Sequence, residues 1–494
     1  MRWLGACLSL ALAAGAAQAA AQPERAPAQA GAESRPAPAP GADYLRAGLE
    51  QLAMLAGGTI WYWIDDRNIA DWDFDSWEQR FREDAYRFDN NHFPINFIGH
   101  PLSGAAYYGL PRANRMDVLP SLGYAVLTTF IWEFVLEFQE RFSINDFITT
   151  PLGGLAIGEG FIRLARYLDR AAHPALAWTL GLPVALHETM DGRAAGREGG
   201  APDEPPGWAR LSVRYGFGWA LPGRDAEGSG FDVHRIAGSG TFVALDGYLE
   251  PGRSLDVFTD AEVAHLRMDA LLSSTGAGFE LWADTIVLGL HARDLTARPD
   301  GLLGASAIVG TNVSHLYRFE HFDGWHDRLS YTAFPGLASD VEAHLGAFRA
   351  RVSGRFNFVF GASHAPDFPR WRELHPTQTP KTILQKHGYW YGWGYAGRLS
   401  LELATPRVVV GGSLAALHLD SQEGYDRLQH TVTSDIDGSS DLLEGAVWVR
   451  LTGLPLGLFA EASWRVQLRG DVLGDLARDR RLDRFELAVG TELY

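Results

Sequence analysis

From about residue 207 to Tyr494, polar and apolar side chains alternate along the chain. Between Arg210 and Leu221 the pattern is clearest: Arg210, Ser212, Arg214 and Gly216 fall in one phase, and Leu211, Val213, Tyr215, Phe217 and Trp219 in the other. Successive side chains of a strand point to opposite faces, so such a segment has one wet face and one oily, aromatic face. Candidate strands lie near 208–221, 232–250, 256–274, 277–293, 302–321, 327–350, 352–363, 388–404, 406–420, 427–436, 442–454, 456–470 and 482–494. Single-chain bacterial barrels carry an even strand number, so the pattern predicts about twelve strands, with ten or fourteen as the alternatives. Arg298-Pro299-Asp300-Gly301 and Asp435-Ile436-Asp437-Gly438 read as turns, and the proline-bearing stretch 364–387 as a long outer loop. Tyr389, Tyr391, Trp393 and Tyr395 share one strand face, the placement of an aromatic girdle at a membrane interface. A soluble β-sandwich with an aromatic core would show the same local pattern. Its recurrence over most of three hundred residues favours a closed barrel in lipid.

Between Tyr44 and about Asp191 the spacing of apolar residues becomes helical. Six helices are predicted, near 43–67, 72–88, 99–112, 117–140, 143–169 and 174–190. Ser76 with Gln79, and Ser143 with Asp146, are spaced as capping boxes at two helix starts. The stretch 118–138 is apolar nearly all round, except for Glu133 and Glu137. It is long enough to cross a bilayer, but a carboxylate in hydrocarbon is costly. Burial in a periplasmic bundle, or against the inner mouth of the barrel, is the preferred expectation. The fold class is therefore α+β: a helical domain over 43–191, then a transmembrane antiparallel barrel over 207–494.

Composition extends this picture. Arg2, the apolar run Leu4–Ala17 and the small residues that follow predict a secretory signal over 1–21. Leu4-Gly5-Ala6-Cys7 loosely resembles a lipobox, although too little apolar sequence precedes Cys7. Residues 22–42 and 192–206 are rich in Ala, Pro, Gly and charged side chains and read as linkers. Cys7 is the only cysteine, so a chain cleaved after the signal has no thiolate chemistry and no cysteine-bound metal. The net charge of −17 argues against a nucleic-acid surface. A mean hydropathy of −0.10 suits a barrel, where one strand face meets lipid, and does not suit a bundle of membrane helices.

Four polar patches interrupt the helical region. They are Asn96 to Gly104 with His100 and Pro101; Arg112 with Asn114 and Arg115; Trp132-Glu133 with Glu137; and Ser143 to Gly154, with Asn145, Asp146, Thr150 and the Gly153-Gly154 pair. Gly158-Glu159 and Arg163 follow. His-Pro-x-x-Gly, Trp-Glu-x-x-x-Glu, Asn-Asp-x-x-x-Thr-Pro-x-Gly-Gly and Gly-Glu occur here in order. In these motifs residues 70 to 170 resemble the domain of unknown function 3943, a family of bacterial envelope proteins. The resemblance implies a domain attached to an envelope protein and carries no activity.

Glu133 and Glu137 are four apart on one helical face and need a cation or proton donor if buried. His100, Arg112, Arg115, Arg141 and Arg163 are the available cations, and Glu159 can pair with Arg163 on its own helix. One reading makes His100 with Glu133, Glu137 or Asp146 a catalytic base and acid of an envelope hydrolase acting on lipid or glycan, with or without a divalent metal. The plainer reading is a structural or binding network of Asn96, Arg112, Asn114, Asn145, Thr150, Glu159 and Arg163 that sets helix register. No recognised metal-ligand spacing is present, and the sequence leaves any cofactor unknown. His265 with Arg267 and Asp269, and His344 with Glu342, sit in lumen-facing phase.

A barrel of about twelve strands has room for one helix of about 10–12 Å diameter. The helical domain is expected on the periplasmic side, closing or docking to the barrel. A structural or binding role comes first, an envelope hydrolase second and a gated channel third. The expected surroundings are outer-membrane lipid and, during biogenesis, the barrel assembly machinery.

Overall fold

The computed structural model describes residues 41–64, 77–82, 85–89, 91–138, 140–170, 175, 178–179, 181–191, 208–222, 230–322, 325–376, 387–422, 436–452, 457–473 and 476–493. The predicted signal, nearly all of the first linker, the second linker and Tyr494 lie outside these residues. So does Ser76, the first half of one expected capping box.

Among the described residues, six helical segments precede the barrel strands: α1 (Tyr44–Ile64), a 3₁₀ turn (Trp77–Phe81), α2 (His100–Ala113), α3 (Val118–Phe130), α4 (Ile144–Arg170) and α5 (Leu182–Met190). A π-helical turn, Ile95–Gly99, leads into α2, and another, Ile131–Leu136, continues α3. Ser143 caps α4 as its spacing predicts: its Oγ accepts the Asp146 amide at 3.3 Å and donates to Asp146 Oδ2 at 2.5 Å.

Twelve strands follow, each antiparallel to its neighbours: β1 (Trp208–Pro222), β2 (Phe231–Val243), β3 (Gly252–Phe258 and Val263–Ser273), β4 (Gly276–Arg298), β5 (Gly301–Phe322), β6 (Trp325–Ala333 and Gly336–Gly346), β7 (Phe348–His364), β8 (Tyr389–Ala404), β9 (Val408–Ser421), β10 (Ile436–Leu451), β11 (Gly457–Leu473) and β12 (Leu476–Leu493). The two pieces of β6 both bridge β5 and β7, and both pieces of β3 pair with β4, so each broken pair fills one place in the wall. β12 pairs with β1 from Arg484–Pro222 to Leu493–Val213 and closes the barrel.

Two expected turns fare differently. Pro299-Asp300 is a tight hairpin, whereas Ile436 already opens β10, paired with Leu473. Within the stretch read as an outer loop, Phe368–Leu374 forms a short helix, α6.

The lumen is crossed by ion pairs. Arg318 on β5 binds Glu280 on neighbouring β4 at 2.6 Å and Glu444 on distant β10 at 2.8 Å. Arg465 on β11 and Arg484 on β12 both reach Glu320 on β5, at 2.8 and 2.9 Å. Arg210 on β1 meets Glu402 on β8 at 3.2 Å. His265 and His344 face the same interior, beside Asp340 and Glu342 at 3.1 Å each. A cavity of about 310 Å³ remains among these groups. Much of its charged lining is paired across the barrel, and breaking such a pair costs more than leaving it.

The outward phase divides into two regions. On β1 and on β8 to β12 it is exposed and apolar, as at Phe217, Trp219, Leu401, Val447 and Leu487. On β2 to β8 a band of the same phase lies beneath the helices. Leu266, Leu281, Ala283, Val313, Tyr317 and Phe360 are buried in one cluster with Phe97, Leu155 and Ala156. Register puts these barrel residues on the side opposite His265, Asp284 and Arg318, which face the lumen. Helix α4 crosses the strands in turn: the Ala156 carbonyl accepts from Thr285 Oγ1 at 3.3 Å, Gly160 lies over Leu266, and Leu164 and Leu168 pack on Phe242.

The helices therefore meet the barrel on its outer wall. The expectation of a domain closing the lumen from one end is not met, because the barrel residues touched by α4 point away from the lumen. The expected aromatic girdle is corrected in the same way. Tyr395 is exposed, but Tyr389 and Tyr391 are fully covered by Phe88, Phe93 and Phe97, with ring centres 4.7 Å (Phe88–Tyr391) and 5.4 Å (Phe93–Tyr389) apart. The 118–138 helix departs from expectation too. Only 33% of the 18 most apolar consecutive residues within Val118–Leu136 is buried.

Helices α2 and α4 touch backbone to backbone. A Cβ at Gly104 would collide with the Thr150 carbonyl, and one at Gly154 with the Gly104 backbone. Gly154→Val should destabilise the helical domain by about 1–3 kcal/mol or more, since rigid backbone must move. Protease digestion checks this: faster cleavage within 43–191 with an intact heat-modifiable barrel is expected. A second expectation concerns the lumen. Planar-bilayer recordings should show no unitary current with or without residues 43–191; stable steps from the intact protein contradict a lumen sealed by ion pairs.

Candidate functional site

The polar residues of the helical domain divide into two clusters along α4. Asp146 and Glu159 are thirteen residues apart in that helix, so they sit about 20 Å apart.

The Glu159 cluster is a completed ion network. Arg112 Nε and Nη2 donate to the two carboxylate oxygens of Glu159 at 2.9 and 3.0 Å. Arg163 Nε and the Tyr108 hydroxyl add donors at 2.8 and 2.7 Å. Arg112 Nη1 also donates to Asp260 at 2.9 Å, and Arg163 Nη2 to the Asp260 carbonyl at 3.1 Å. Asp260 lies in the break of β3, so this network ties α2 and α4 to the barrel wall. Burial raises the Glu159 carboxyl, but the guanidinium groups of Arg112 and Arg163 outweigh it and hold it at about 2. Arg112 and Arg163 are thus committed to Glu159 and Asp260. The expectation that they neutralise Glu133 or Glu137 is corrected.

The second cluster gathers Asp89, His100 and Asp146. One ligand atom from each lies within 4.8 Å of the others. His100 Nε2 is 3.6 Å from Asp146 Oδ1, and its side chain remains 21% exposed. Asn145 Nδ2 donates to Asp146 Oδ1 at 2.8 Å, and Asn145 Oδ1 accepts the Asp89 amide at 2.6 Å. One asparagine therefore positions both acids. Burial pushes the Asp146 carboxyl up to about 7, against the hydrogen bonds from Ser143 and Asn145. Burial also lowers the His100 imidazole, opposed by Asp89. Glu133 is 2% exposed and within Coulomb range of Glu137, Asp146 and Asp89. Glu137 accepts from Trp132 Nε1 at 2.7 Å.

Sequence reasoning missed Asp89, which lies outside the helices, before the patch that begins at Asn96. The polar run Asp89-Asn90-Asn91-His92 was the available sign. It also missed Arg80, whose guanidinium donates to the main-chain carbonyls of Glu133, Phe134, Glu137 and Glu140. The remaining predicted residues scatter. Asn96 Nδ2 donates to the Tyr391 hydroxyl at 2.6 Å, across the helix–barrel boundary. Asn114 donates to Glu50 at 2.7 Å near α5, and Thr150 is buried against Gly104. For the hydrolase arrangement, no serine or threonine hydroxyl hydrogen-bonds to His100 among the described residues. The Ser143 hydroxyl is held by Asp146 and Asn145.

Residues 85–182 match the family described as Domain of unknown function (DUF3943). The match takes in the helical-domain residues of both clusters, without Asp260, and stops before the barrel. No curated protein sequence matches the chain. Among solved structures, the chain is similar to the translocator domain of autotransporter NalP from Neisseria meningitidis, at 13% identity, 63% of this chain, 96% of that chain and a TM-score of 0.20. It is also similar to the NanC porin (7% identity, 57% of this chain, 99% of that chain, TM-score 0.24) and to the outer membrane protein OmpT of Vibrio cholerae (10%, 58%, 99%, TM-score 0.15). The fold assignment rests on this chain's own strand register: it is a closed, outer-membrane-type β-barrel.

Replacing Glu159 by Ala leaves two buried guanidinium groups without their main partner. A loss of about 3–5 kcal/mol in the helical domain is expected, read as urea-dependent protease sensitivity of residues 43–191. The pH dependence follows from the same carboxyl. Its folded value of about 2 is below its unfolded value of about 4.3. The stabilisation is therefore complete above that unfolded value and is lost as pH falls through about 2. Acid-induced protease sensitivity should appear in that window for the wild type and be absent as a transition in Glu159→Gln.

Proposed function

We propose that this chain is an outer-membrane protein with a structural or binding role, built as a sealed barrel with a helical domain docked along its outer wall. One observation carries the reading: polar side chains in the lipid-facing phase have their partners in the helical domain and in the wall beneath it. His315 Nε2 is 3.0 Å from the Phe97 carbonyl, which can only accept, so Nε2 carries the proton. Nδ1 then accepts from Thr332 Oγ1 at 2.9 Å. Hydrocarbon has no acceptor to offer such a donor.

The surface on the far side of the helices supports placing the domain in the bilayer. Leu45, Leu49, Leu52 and Trp61 on α1, and Leu119 and Leu127 on α3, are more than half exposed. In water this is a large apolar patch that needs covering. Beside a barrel in lipid it extends the apolar belt outward. Loop length supports one orientation. The Pro299-Asp300 hairpin lies at the end of the barrel where β1 begins and β12 ends, whereas the long connection from His364 to Tyr389 lies at the other. Short turns mark the periplasmic rim of such barrels. The helical domain then enters from the periplasmic side and runs up the wall.

Because Cys7 is the only natural cysteine, single-cysteine labelling of the processed protein is clean. A fluorophore at Leu127→Cys should be quenched by brominated lipid as strongly as one at Leu487→Cys on the bare belt. Quenching at Leu127→Cys only by water-soluble iodide places the domain in aqueous periplasm and overturns the bilayer placement.

A further inference from the structure

We infer that Asp89, His100 and Asp146 form a binding site for one divalent metal ion of the zinc, manganese or cobalt type, in the helical domain where Tyr391 of the barrel wall hydrogen-bonds the Asp89 carbonyl. The His100–Asp146 separation of 3.6 Å is close to the ~3.4 Å expected between two ligands bound ~2.1 Å from one tetrahedral ion. One imidazole with carboxylates selects borderline transition ions, whereas calcium and magnesium sites are built from oxygen alone. Asn145 holds both acids in place, the outer-shell support that metal ligands need.

A second observation is independent of this spacing. The Glu133 carboxylate is 2% exposed and makes no hydrogen bond or ion pair among the described residues. The adjacent guanidinium of Arg80 is directed at main-chain carbonyls, so it leaves that carboxylate uncovered. Two more buried oxygens without partners border the cluster: Thr149 Oγ1, one turn beyond Asp146, and Asn96 Oδ1, one turn before His100. An unpaired buried carboxylate within electrostatic range of two others adds to the negative charge that a dication stabilises. The exposed edge of His100 gives an ion its path in. A contrasting cluster clarifies the point. His418 offers opposite ring nitrogens to Asp441 and Asp420, at 2.7 and 3.0 Å, and so cannot focus them on one ion.

The test uses the full chain in detergent, stripped with chelator and titrated with cobalt(II), then zinc. One equivalent of cobalt with visible d–d absorption, displaced by zinc, is expected. His100→Ala and Asp146→Asn should each weaken binding at least about tenfold, and His418→Ala should leave it unchanged. Absence of stoichiometric cobalt, zinc or manganese binding overturns the proposal, as does binding undiminished in the His100→Ala, Asp146→Asn double variant. If either variant loses its heat-modifiable migration, nitrogen ligation of cobalt in the wild type decides by pulsed electron paramagnetic resonance. No nitrogen coupling overturns the site. This inference stands apart from the bilayer placement, since its three ligands all belong to the helical domain.

Discussion

A donor on the lipid-facing side of a membrane barrel must find an acceptor, and lipid tails have none. His315 is such a donor. It sits in phase with Val313 and Tyr317 on the outward face of β5, and its Nε2 proton goes to the Phe97 carbonyl of the helical domain. Thr285 repeats the arrangement one strand away, on the Ala156 carbonyl. The rest of the molecule depends on this boundary. The wall accepts polar residues there only because helices cover them, and the helices sit there because the wall offers those donors along with a broad apolar face.

Two kinds of interaction divide the structure accordingly. Inside the barrel, charges pair across the lumen, as Arg318 does with Glu444 and Arg484 with Glu320, and the interior becomes a cross-braced core. Outside it, one ion network and an aromatic seam hold the helices. Arg112, Arg163 and Glu159 reach Asp260 in the break of β3, while Phe88, Phe93 and Phe97 close over Tyr389 and Tyr391. The break in β3 thus has a use: it lets an acidic side chain and its carbonyl turn outward to meet two arginines.

Much of the barrel was legible in the sequence, because alternation has a period that neither turns nor composition can imitate. The strand number and the two faces of β1 and β12 follow from it directly. What covers an outward face does not. Phe, Tyr and Leu have the same phase under lipid as under a helix, so Tyr389 and Tyr391 read as girdle residues. His315 and Thr285, lone polar residues in an apolar phase, carried the missing sign. In the helical domain, pairing the right cations with the right acids required knowing that Gly104 and Gly154 bring α2 against α4. That contact commits Arg112 and Arg163 to Glu159 and leaves Asp89, His100 and Asp146 as a separate cluster. Asp89 itself lies in irregular backbone, where periodicity says nothing.

The lateral placement of α4 on the barrel wall is the claim on which this account stands, and a disulfide tests it most directly. A Cβ built at Gly160 lies 3.5 Å from the Leu266 Cβ, within the range a disulfide spans. The Gly160→Cys, Leu266→Cys double variant should therefore oxidise spontaneously in the envelope, giving one intramolecular crosslink by mass spectrometry of the tryptic peptides. Two free thiols in a correctly folded barrel, or crosslinking of Gly160→Cys to a lumen position such as Arg267→Cys instead, contradict it.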